Sequence, residues 1–116
     1  MNIFRKIKAW LRLNAAVIQA DKAHACDGAR FYVVPKGEGA KLLIMDRRNF
    51  RLLKMKGYID PRAKVMDLEK DCFYCTPHRD GSGRLPDEVV KMKRAQYWRW
   101  AELMDAARRA RAVNRR

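Results

Sequence analysis

A chain of 116 residues with 48% hydrophobic side chains can build one modest core and reads as folded rather than disordered. Its 27 Lys and Arg against 13 Asp and Glu leave a net charge of +14, an excess that draws polyanions: nucleic acid first, then anionic membrane surface or acidic protein. Three cysteines (Cys26, Cys72, Cys75) do not make a disulfide framework, which points to a reducing, cytoplasmic setting, and no apolar run reaches the roughly eighteen residues of a membrane span.

In chain order, residues 2–25 predict one long helix. At 100° per residue, Ile3, Phe4, Ile7, Trp10, Leu11, Val17 and Ile18 share one side, and Arg5, Lys8 and Arg12 gather on another. Arg12 interrupts the apolar part, so the segment is not expected to be a secretory leader. The preferred reading is a core helix with a solvated basic flank. A surface helix on anionic lipid is set aside, because a domain with few other long helices needs that apolar side for its core. Asp27-Gly28 supplies a stop.

Arg30–Pro35 and Lys41–Met45 predict an antiparallel hairpin turned by Lys36-Gly37-Glu38-Gly39. Both strands are nearly continuous apolar runs, so helices should cover both faces, the first and last being expected to pack there. Asp46–Ile59 follows as a short, strongly basic helix, capped by Asp46 and stopped at Gly57, with Phe50, Leu52 and Leu53 as its apolar strip. Asp60-Pro61 predicts a restart and a helix over Pro61–Asp71, while Cys72-Phe73-Tyr74-Cys75 suits a strand equally well. Pro77–Leu85 is a loop by composition. Pro86–Val113 predicts the second long helix, with Val90, Tyr97, Trp100, Ala101 and Met104 on one face and Trp98 on the polar side, a candidate interface residue.

Residues 29–59 carry a strong basic excess, whereas 60–85 balance their charges, so the positive surface does not come from the cysteine region. The segment MDRRNFRLLKMKGYI, followed by CFYCTP and GSG, resembles small uncharacterised proteins of Bacteroides-type gut bacteria and their phages or mobile elements. The resemblance covers roughly residues 20–100. It implies an intracellular or virion-associated setting, no activity and no catalytic residues.

Cys72-x-x-Cys75 with His78 is the one metal-like constellation, for which His24 or Cys26 would have to complete a zinc site. Apolar packing of the thiols is the bland alternative, and a thioredoxin-type redox pair lacks its strand-to-helix context. A nucleobase deaminase needs His-x-Glu, and His24-Ala25-Cys26 has no Glu. Asp67, Glu69 and Asp71 would diverge on a helix. Gly37-Glu38-Gly39 is no phosphate loop, and Ser82 has no triad.

The sequence thus leads to an α+β fold: two long helices flanking a two-stranded antiparallel hairpin with two short helices. One domain is expected over residues 1–113, with a basic tail at 114–116. The expected function is non-enzymatic nucleic-acid binding through phosphates, without cofactor. Arg47, Arg48, Arg51 and Lys54 would form a central patch and Arg108, Arg109 and Arg111 an auxiliary arm, with Tyr32 or Trp98 stacking on a base. The alternative is a structural or adaptor protein gripping an acidic partner through Trp98 and the long helices. Membrane binding is not expected.

Overall fold

In the computed structural model, which describes residues 1–36 and 39–114, Asn2 caps the first helix by accepting the Arg5 amide at 2.9 Å. Helix α1 (Ile3–Asp27) ends at Gly28, whose φ of 84° lets its N–H turn back to the His24 carbonyl. Strands β1 (Tyr32–Pro35) and β2 (Leu42–Met45) pair antiparallel with Tyr32 opposite Met45. Gly37 and Glu38 of the predicted turn lie outside the described residues.

Helix α2 (Arg47–Met55) has the start and stop that its sequence foretells. Asp46 accepts the Asn49 amide at 2.8 Å, and the Asn49 side chain accepts the Asp46 amide in return. At the other end Gly57, φ 82°, allows the Tyr58 amide to reach the Leu53 carbonyl. Helix α3 (Val65–Asp71) begins later than the Pro61 start predicted. Asp60 accepts the Arg62 amide on its side chain and the Ala63 amide on its carbonyl, closing a turn instead. Asp67 then caps the helix by accepting the Lys64 amide at 2.8 Å.

The hairpin is part of a three-stranded sheet, ordered β2-β1-β3, which corrects the two-stranded expectation. An extended Cys72 ends α3 and leads into β3 (Tyr74–Cys75), placing Tyr32 opposite Cys75. The Phe73 amide reaches the Val33 carbonyl at 2.8 Å and the Thr76 amide the Phe31 carbonyl at 3.0 Å. The free edge of β1 decides between strand and loop for CFYC, because buried backbone donors need partners.

Alternation along β1 separates two layers. Tyr32 points to a cluster with Met45, Phe50, Leu68, Cys72 and Cys75, so α2 and α3 cover that face. Val33 points the other way, onto Ala16 and Ala20 of α1. Helix α4 (Asp87–Asn114) runs back along the first half of α1, with Tyr97 donating its hydroxyl to the Ala9 carbonyl at 2.6 Å. Tyr97, Ala101, Ala9, Leu13 and Phe73 form the cluster between them, and Phe73 meets the Tyr97 ring edge-on at 5.3 Å. Of the predicted tail, Asn114 belongs to α4, and residues 115 and 116 lie outside the described residues.

The buried side of α1 is not the one expected. Ala9, Leu13, Ala16 and Ala20 face inward, while Ile3, Phe4, Ile7, Trp10, Leu11 and Ile18 are exposed. Small residues at 16 and 20 let the α1 backbone approach the sheet closely, and a bulky face could not. Ala20→Leu is therefore expected to destabilise the fold by about 1–3 kcal/mol through overpacking. Ile7→Ser should change stability by no more than about 0.5 kcal/mol, as for an ordinary surface site. Denaturant titration of both variants checks the orientation of the helix; the reverse ranking would refute it.

Candidate nucleic-acid interface and buried thiol pair

Arg5, Lys8 and Arg12 recur on one flank of α1 at helical spacing, and the α4 chain opposite contributes Arg108 and Arg111. Together with Asp105 they line a groove of about 550 Å³ between the two helices. Asp105 is buried at its floor, with Arg5 Nη1 at 3.1 Å, Arg109 Nε at 3.3 Å and Arg108 Nη2 at 3.7 Å. Three guanidiniums share one carboxylate, so two positive charges in the cluster are left over for an external anion. Arg12 donates to the Ala40 carbonyl at 2.7 Å, tying the end of the hairpin turn to the groove wall.

The α2 cations lie elsewhere. Helix α2 covers the Tyr32 face of the sheet and α1 the Val33 face, so the expected central patch and auxiliary arm do not form one ridge. Arg48 and Arg51 are exposed. Arg47 is engaged with Glu69 at 3.1 Å, and Lys54 donates to the Ala63 carbonyl at 2.6 Å, holding the α2–α3 connection. Burial works to raise the Glu69 carboxyl, but hydrogen bonds from Arg47 and Tyr32 hold it below the usual range. Arg47 and Arg48 also border a smaller cleft of about 300 Å³ with Arg30 and Arg79, into which Asp27 and Asp46 intrude.

Neither aromatic residue named for stacking is freely presented. Tyr32 is fully buried and donates to Glu69 at 3.2 Å. Trp98 is half-buried, its ring edge-on to Tyr97 at 5.9 Å. The exposed Trp expected on the polar side of the helix is thus largely an extension of the α1–α4 packing.

Cys72 and Cys75 are both buried; Cys72 Sγ donates to the Glu69 carbonyl at 3.5 Å, and a Cys75 thiolate would accept from the Cys72 thiol. Two cations flank them: Arg30 donates to Cys75 Sγ at 3.0 Å, and Lys93 approaches Cys72 Sγ at 3.5 Å. His78 faces Arg30 rather than the sulfurs, its Nε2 2.6 Å from Arg30 Nη1, and Cys26 is exposed. Among the described residues no three His, Cys, Asp or Glu side chains converge to hold a metal ion. Asp67, Glu69 and Asp71 lie on a helix, where they diverge.

Lys93 was not apparent from sequence. Its ammonium, buried on α4, donates to the carbonyls of Glu69, Lys70 and Cys72 at 2.8, 3.3 and 3.1 Å, closing the C-terminal end of α3. An unpaired buried ammonium would cost several kcal/mol, and these bonds offset that cost. The signal was its position four residues before Tyr97 on the buried face of α4, a place where a lysine is read as solvated.

No family model, curated protein or solved structure matches the chain.

The Cys72 hydrogen bond lowers the Cys75 thiol from 9.0 to about 6; burial opposes this, and Arg30 adds to it. The same contact, joined by burial, pushes Cys72 up. Thiolate absorbance is therefore expected to show a step near pH 6 that Cys75→Ala removes. Between about 6 and 9.0 the unfolded thiol keeps a proton that the native thiolate has lost, so stability should rise with pH across that window. Denaturant midpoints across it, compared with those of Cys75→Ala, measure the contribution.

Proposed function

We propose that the protein binds nucleic acid without catalysis, by seating phosphates in the groove between α1 and α4. The supporting observation is that Arg5, Lys8, Arg12, Arg108 and Arg111 line one groove together with Asp105. Guanidiniums present paired donors to phosphate oxygens and stay charged, which suits a backbone rather than a base. Contacts of this kind give affinity with steep salt dependence and little sequence choice. Arg48 and Arg51, on the other face of the sheet, would act as a separate and weaker site. The phage or mobile-element setting and the cytoplasmic location belong to this proposal and rest on the resemblance and the cysteine usage described above.

Anisotropy titration with random-sequence DNA and RNA at several salt concentrations tests the reading. Binding should weaken steeply with salt, and Arg12→Ala/Arg108→Ala should flatten the logarithmic slope by about two units. Affinity that is absent at low salt, or insensitive to salt, rejects nucleic acid in favour of an acidic protein partner. An unchanged slope in the double variant rejects the groove.

A further inference from the structure

We propose that α1 lies flat on anionic phospholipid through its outward apolar face, with Lys6 and Lys8 on its two borders meeting the headgroup phosphates. The proposal shares Lys8 with the nucleic-acid groove and otherwise rests on a different face of α1.

Six large apolar side chains of α1 are exposed: Phe4 by 73%, Ile3 by 67%, Leu11 and Ile18 by 54%, Ile7 by 49% and Trp10 by 48%. At 100° per residue they fall within an arc of about 120°. Asn14 is the only polar residue of that arc between Ile3 and Ile18. The arc lies opposite the buried stripe of Ala9, Leu13, Ala16 and Ala20, so nothing in the described fold covers it. Isolated exposed apolar residues need no explanation, whereas a stripe over four turns broken only by Asn14 marks a docking face.

The borders identify the occupant. Lys6 lies about 40° beyond Trp10 on one side, and Lys8 about 40° beyond Phe4 on the other. In a parallel pair with a second copy of the same helix, Lys6 of each would face Lys8 of the other on both edges. An anionic interface instead receives both lysines, while Phe4, Trp10 and Leu11 enter the acyl boundary and the lysine stems reach back to the phosphates. No helix among the described residues is long and apolar enough to cross a membrane, so the contact is in the plane of the interface. The core does not need these side chains, because Ala9, Leu13, Ala16 and Ala20 fill that role.

Flotation of the full chain with phosphatidylglycerol–phosphatidylcholine vesicles, and with phosphatidylcholine alone, tests this. Association should be at least about tenfold stronger with the anionic vesicles, since the stripe and the lysines act together. Phe4→Ser/Leu11→Ser should weaken it by about tenfold or more while leaving circular dichroism and nucleic-acid affinity unchanged. Lack of anionic-vesicle binding overturns the proposal, as does equal binding by the double variant, which would reduce the contact to general charge attraction. A wild-type dimer in sedimentation equilibrium that the double variant dissociates would also overturn it, assigning the face to a second copy.

Discussion

Everything about the outer surface of this protein follows from how closely α1 can approach its neighbours. Ala16 and Ala20 meet Val33 of the sheet, while Ala9 and Leu13 meet Tyr97 and Ala101 of α4. Alanines at 16 and 20 bring the α1 backbone close to the sheet, while α4 stands further off and reaches α1 through the Tyr97 side chain, whose hydroxyl donates to the Ala9 carbonyl. Once that face is inward, the 3.6-residue period fixes the rest: the bulky apolar residues must point outward, and the Arg5–Lys8–Arg12 flank must turn toward α4. The groove and the exposed stripe are two consequences of one packing choice.

Charge is distributed by the same logic. Two carboxylates near the cationic surface are paired, Asp105 with three arginines and Glu69 with Arg47. This arrangement orients guanidiniums without neutralising them where they outnumber the acid, which is the condition for binding a further anion. On α2 the balance differs, because Arg47 and Lys54 are occupied in holding α3 and its connection to the sheet. Cations equal in sequence appearance thus separate into structural and available ones by what the fold sets beside them.

The cysteine segment joins the two layers. Cys72 and Cys75 belong to the cluster beneath α2 and α3, while Phe73, between them, packs into the α1–α4 cluster. Arg30 and Lys93 reach the sulfurs from opposite ends of the chain order, and Arg30 also donates to the Gly83 carbonyl at 3.1 Å. A hydrogen-bonded thiol pair with a cation at each sulfur favours one thiolate over two, which is why the two thiols shift in opposite directions. The same lysine that meets the thiol also closes α3, so the electrostatics of the pair and the end of that helix are one structure.

The sequence by itself determined the local elements. Asp46 and Gly57 bracket α2, Gly28 ends α1, β-branched and aromatic residues mark β1, an apolar run marks β2, and the α+β class follows from their order. These are short-range effects, set by caps, backbone freedom and propensity within a few residues. Only the tertiary structure decided which face of α1 is buried, whether CFYC pairs as a strand, and which arginines meet across a groove. Burial depends on the shape of the partner: a periodic apolar face reads as core unless the neighbouring surface is known to demand a small-residue stripe. Likewise Arg5 and Asp105 lie a hundred positions apart, and no local signal fixes a distance that only the return of α4 along α1 creates.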